Sequence, residues 1–156
     1  MHESRTYVLV AASTITTSGN AGGYITLPRP AIAATLFANI TTGSGNMRFI
    51  LQRGMKAIGS ETAGQVIPAG GATDLEWFDY ASFTTTSTAG KRVLSVVYSS
   101  TANDFVVTSS ARLSENRQLG GSLGTYFRGA YNLGEINPAS YTNPSFTFSV
   151  VGEFEF

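Results

Sequence analysis

Asn143 to Phe156, NPSFTFSVVGEFEF, carries the pattern that most limits what this chain can become. From Phe146 the apolar residues fall on every second position: Phe146, Phe148 and Val150 share one side, and Thr147, Ser149 and Val151 the other. The alternation resumes after Gly152 as Glu153, Phe154, Glu155, Phe156. A period of two means a β-strand with one dry and one wet face, because successive Cβ atoms point to opposite sides of the pleat. Asn143-Pro144 starts the strand cleanly, and Gly152 predicts a bulge that bends it or shifts its register. A strand ending in Phe154 and Phe156 is expected to be docked, since burying each ring contributes roughly 1.5–3 kcal/mol.

The rest of the chain reads in the same key. Thr6–Ala12 is a short strand dense in β-formers, which Ser13–Ser18 continues or neighbours. Gly19–Gly23 is a turn of residues that tolerate positive φ, and Tyr24–Leu27 a strand stopped by Pro28-Arg29-Pro30. Ala34–Thr41 and Asn46–Arg53 flank Thr42-Gly43-Ser44-Gly45, the strongest hairpin signal present; in the second, Met47, Phe49 and Leu51 oppose Arg48, Ile50 and Gln52. Gly54–Ala72 is long for a loop, so it holds a short strand near Gln65–Ile67 or protrudes for function. Strands follow at Thr73–Tyr80, Lys91–Tyr98, Asp104–Ser109 and Gly124–Leu133, with a charged and then glycine-rich loop at Arg112–Gly124. No segment shows a 3.6-residue apolar stripe with caps. Roughly eight to ten short strands separated by Gly, Pro and Asn turns predict an all-β antiparallel sandwich or jelly roll without a long helix. Met1–Arg5 is expected to be a polar arm, and residues 6–156 one domain, a size for which a single core suffices.

Composition narrows the function classes. Lys+Arg and Asp+Glu both number 10, so the chain lacks the basic excess that nucleic acid normally requires. No cysteine is present, which removes disulfides and thiolate zinc sites. No apolar run approaches the ~18 residues of a membrane helix, and no signal peptide is visible at the start. Charged residues make up 13% of the chain, about half the usual share. Low charge favours association, a mild pointer to life in an assembly.

Chemistry is hard to assemble from these residues. His2 is the single histidine and lies in the expected arm, so a Ser-His-Asp site would borrow its base from an unanchored end. Asp74, Glu76 and Asp79 cluster beside Trp77, Phe78 and Tyr80, but Asp74 and Glu76 share one side of one strand, whereas a glycosidase sets two carboxylates across a cleft. The acidic group is read as a wet strand face beside a Trp that anchors the core. Gly120-Gly121-Ser122-Leu123-Gly124 has no Lys-Ser/Thr or helix after it, so it is no phosphate loop. The expectation is a protein with no catalytic, cofactor or metal site. Charge falls in blocks: basic through Arg5, Arg29, Arg48, Arg53 and Lys56, acidic through Glu61, Asp74, Glu76 and Asp79, basic again through Lys91, Arg92, Arg112, Arg117 and Arg128, acidic in Glu135, Glu153 and Glu155. Such blocks either neutralise within the monomer or set register between subunits.

Tyr126-Phe127-Arg128-Gly129-Ala130-Tyr131, a loop, and then Pro144-Ser145-Phe146-Thr147-Phe148-Ser149-Val150 resemble the closing strands of small tailed-phage virion structural proteins. The stronger likeness covers about thirty residues, and the first part of the chain is similar in style only. The resemblance implies a β-sandwich or jelly-roll capsid decoration (cement) protein, without enzymatic activity, on the surface of the virion. It further implies a homo-oligomer, with a trimer favoured, that clamps the major capsid protein. The Gly54–Ala72 and Arg112–Gly124 segments depart from its simplest members. Arms, long loops and the C-terminal end reach across subunit boundaries while sheet faces are used by the core. The expected contact residues are therefore His2, Glu3, Arg5, Tyr7, Lys56, Glu61, Gln65, Arg117, Phe154 and Phe156. An alternative is a carbohydrate- or receptor-binding module of a tail tip or fibre, with Trp77, Tyr80, Tyr126 and Tyr131 stacking on sugar rings.

Overall fold

A computed structural model describes residues 2–44, 47–56, 63, 75–85, 89–97, 118, 123–133 and 145–156. The described elements are nine strands: β1 Ser4–Ile15, β2 Gly19–Asn20, β3 Ile25–Thr26, β4 Ala33–Ser44, β5 Met47–Lys56, β6 Leu75–Thr85, β7 Gly90–Val97, β8 Tyr126–Leu133 and β9 Ser145–Glu155. They form two antiparallel sheets, a front sheet in the order β1-β9-β4-β7 and a back sheet in the order β2-β8-β5-β6, with β3 also on β8. Pairing is nested: first strand with last, β2 and β3 with β8, β4 with β7, β5 with β6. A long hairpin rolled on itself gives this order, so the sandwich is a jelly roll.

The alternation read from the sequence is what the sheets are built on. On β9 Phe146, Phe148, Val150 and Phe154, and just past its end Phe156, all turn inward and are buried, as expected of a docked strand. They meet Leu36 and Ile40 of β4, Val96 of β7, and Met47, Phe49, Leu51, Phe127 and Tyr131 of the back sheet in one cluster. Phe127 and Phe154 join the layers with ring centroids 4.9 Å apart. The Tyr131 ring edge meets Phe148, while its hydroxyl donates to the Asn20 carbonyl. Gln118 ties the layers at one side, pairing with Ala81 of the back sheet and donating its amide to the Val97 carbonyl of the front.

Three local readings are corrected by tertiary contacts. Thr42 to Ser44 are not a hairpin turn; they continue β4 in register with β9, and the chain next pairs in the other sheet as β5. Gly43 is there for close approach, because a Cβ would stand 2.6 Å from the Phe146 ring. Gly152 likewise makes no bulge. It pairs regularly with Tyr7 and Leu36, and a Cβ there would lie 2.7 Å from Phe154 and 3.1 Å from Leu9. The irregularities sit on the two strands that flank β9, on β4 between Ile40 and Thr42, and on β1 between Val8 and Val10 and between Val10 and Ser13. The extra residue lets Leu9 and Val10 both face the core. Finally, Met1–Arg5 is no free arm from Ser4 onward: Ser4 and Arg5 pair with Glu155 and Phe154. Glu3 exchanges both backbone hydrogen bonds with Phe156, at 2.8 and 2.9 Å. The expected strand at Asp104–Ser109 lies outside the described residues.

Candidate contact surface

The outward side of the front sheet should be polar by the sandwich rule that inner positions alternate with wet ones. Mostly it is: Ser4, Thr6, Thr35, Ser95, Asn39, Lys91, Ser149 and Thr147 stand on it, and the Thr14 and Thr147 hydroxyls meet at 2.7 Å. One row breaks the rule. Val8 pairs with Val151, Val151 with Phe37, and Phe37 with Val93, so an apolar residue from each of the four strands falls in one line across the sheet. Val8, Phe37 and Val93 are 62%, 44% and 64% exposed, and Val97, two positions along from Ser95, is 56% exposed. Beside the row lies an open hollow of about 320 Å³ lined by Phe37, Asn39, Lys91, Val93, Ser149 and Val151.

Charge brackets this row along the strand direction. Glu153 and Glu155 of β9 stand one and two pleats to one side, level with Thr35 and Ala33. Lys91 of β7 stands on the other side, level with Asn39 and Ser149. The Ser4 hydroxyl donates to Glu153 at 3.0 Å.

The outward side of the back sheet is different. Ile50, Ser82 and Ala130 lie abreast and are fully buried. Next to them Arg128 Nε donates to Gln52 Oε1 at 2.7 Å, and Gln52 Nε2 donates to Asp79 Oδ1 at 2.7 Å, a ladder across three strands. Gln52 and Asp79 are buried. The Arg128 guanidinium also lies 4.6 Å from the Trp77 ring centre, and Tyr24 packs on Trp77 at 5.6 Å and on Tyr126 at 6.5 Å. Gly54 makes room for this cluster, because a Cβ there would be 2.9 Å from Tyr126 and 3.0 Å from Trp77. Asp79 is thus no wet-face carboxylate: it is the inner end of a polar ladder. Glu76 is exposed. Asp74 lies outside the described residues.

The predicted contact residues separate into three groups. Phe154 and Phe156 are buried in the core of the monomer, since the strand that carries them is central in its sheet; they are corrected from contact residues to core. Tyr7 is half-buried, its ring edge-on to Phe154 at 6.1 Å. Exposed His2, Glu3 and Arg5 surround the clasped termini. Glu3 bonds Arg5 at 2.7 Å and Arg29 at 3.6 Å, and both guanidinium groups lie over the Phe156 ring, at 5.6 and 5.7 Å. Hydrogen bonding to Glu3, then to Tyr7, raises the pKa of Arg5. Lys56 ends β5, while Glu61, Gln65 and Arg117 lie outside the described residues. Of the proposed sugar-stacking set, Trp77 and Tyr126 share a cluster through Tyr24, but Tyr80 and Tyr131 are buried in the core. At the sandwich end Arg53 is drawn inward, and burial lowers its pKa against the raising influence of Tyr80.

The apolar row itself was missed. Its signal was present as one apolar residue on the wet side of each strand, Val151 among them. Seeing that these residues line up needs the inter-strand register. Compared with known proteins, the chain matches no family model, no curated protein and no solved structure.

Proposed function

We propose that this protein is a non-enzymatic structural component of a tailed-phage particle, a capsid decoration protein that oligomerises and binds the major capsid protein. The observation that carries the reading is the Val8–Val151–Phe37–Val93 row, with Val8, Phe37 and Val93 exposed, on a mostly polar sheet face. Clustered exposed apolar side chains rimmed by polar ones are the mark of a protein contact. Jelly rolls recur among capsid proteins, which supports the setting by analogy of fold, and the likeness of the closing strands to small virion proteins points the same way. Repetition on a symmetric shell would turn individually modest contacts into a firm attachment. The test is to mix the purified protein with intact particles and with emptied shells, then count bound copies by quantitative mass spectrometry and electron microscopy. Binding at many symmetry-equivalent positions is expected. Absence from the shell, or a handful of copies at one vertex, would overturn the proposal.

A second reading, a carbohydrate-binding module, is favoured by one observation, the Tyr24–Trp77–Tyr126 cluster beside Arg128. Arg128 already occupies a face of Trp77, which leaves Tyr24, 44% exposed, as the platform. Glycan-array binding lost in Tyr24→Ala would install this reading in place of the first.

A further inference from the structure

We infer that the occupant of the apolar row is a second copy of this chain, laid face to face on the front sheet and turned end over end. The inference rests on the reading of this face as a contact surface and adds the partner and its orientation.

The argument begins with the row's position. It runs through the middle of the face from one edge strand to the other, with acid to one side and base to the other. Two identical faces can stack about a two-fold axis in the plane between them, in two principal ways. If the axis runs along the strands, each acidic flank lies over the partner's acidic flank, and Glu153 and Glu155 meet their own kind as water leaves. If the axis runs along the row, the row lies on the partner's row, Phe37 on Phe37, and each acidic flank lies over the flank that carries Lys91. Both arrangements can stack apolar on apolar, but only the second also brings unlike charges toward each other. Glu153 and the Lys91 of the second copy then stand level along the strands but two strands, roughly 10 Å, apart across the sheet, so they attract through the closing gap between the faces without forming a direct pair. The face is thus complementary to itself, as an isologous contact demands. A chain with equal numbers of acidic and basic residues adds no net repulsion between copies. On β7, the outermost of the described strands of this sheet, Lys91 discourages the competing side-by-side extension.

The experiment is sedimentation equilibrium of the full chain at micromolar concentrations, with the same samples followed by circular dichroism and thermal melting. The wild type is expected at twice the monomer mass. Phe37→Glu combined with Val93→Glu should give the monomer mass with an unchanged β spectrum. Because both residues are exposed, the melting curve serves as the control for folding. At low ionic strength Glu153→Lys alone and Lys91→Glu alone should each weaken self-association a few-fold, and the two together should recover most of the loss. A monomeric wild type, a trimer, a dimer indifferent to the Phe37/Val93 change, or a charge swap without recovery would each overturn the inference. Shell binding is scored separately on the Phe37/Val93 variant and the wild type. Particle attachment by a monomeric wild type removes only the two-fold pairing, whereas a dimer that ignores particles removes only the virion reading.

Discussion

The two outward faces of this sandwich are made from the same kind of strand and end in opposite conditions. On the front sheet Val8, Phe37 and Val93 stand exposed among Ser and Thr. On the back sheet an isoleucine, a serine, a glutamine and an aspartate at equivalent wet-side positions are all buried. The front face is apolar where water touches it, and the back face is polar where water does not. Burial of polar groups is tolerated on the back because Arg128, Gln52 and Asp79 satisfy one another in sequence, which avoids the cost of an unpaired buried group. The front face has no such closure. Its apolar row is left largely in water in the monomer, which is what supports the proposal that it is a contact surface.

Single substitutions should separate the two faces by stability. Ile50→Ala on the back sheet should have the largest effect, about 2–5 kcal/mol of lost stability by chemical denaturation, since it opens a cavity at a fully buried position. A loss below half a kilocalorie would break the contrast. Asp79→Ala should cost about 1–3 kcal/mol by leaving the Gln52 amide without its acceptor, while Asp79→Asn, which keeps an acceptor oxygen, should recover a large part of that loss. Gly152→Ala, on the inward side of β9, should cost about 1–3 kcal/mol through overpacking against Phe154, Leu9 and Leu36, read as a lowered melting midpoint. Val93→Thr on the front face should change monomer stability least, by no more than about 0.5 kcal/mol. If Val93→Thr proved as damaging as Ile50→Ala, the front row would belong to the core and the comparison would fail.

Period-two patterning exposed much of this fold in advance. Phe146, Phe148 and Val150 turn inward as their spacing says, and Met47, Phe49 and Leu51 do the same on β5. The strands predicted at Ala34–Thr41, Asn46–Arg53 and Gly124–Leu133 appear with modest extensions or trimming. What went astray were the glycines. Gly43 and Gly152 carry turn and bulge signals, yet both serve to admit an aromatic ring at a distance no Cβ allows. Two of the expected contact residues are misplaced for a related reason. The spacing of Phe154 and Phe156 predicts docked rings but not against what; they pack in the core of their own monomer instead of against a neighbour, because β9 lies between β1 and β4.

By itself, then, the amino-acid order determined that this chain makes short amphipathic strands, that β9 docks, and that two layers close over aromatics, because alternation is a local property of the pleat. It could not decide that the chain passes from β4 to the other sheet instead of turning back beside it, nor that Val8, Val151, Phe37 and Val93 form a line. Both depend on which strands become neighbours and in what register. That choice is set by how rings and glycines from distant parts of the chain fit together, and only the packed structure contains it.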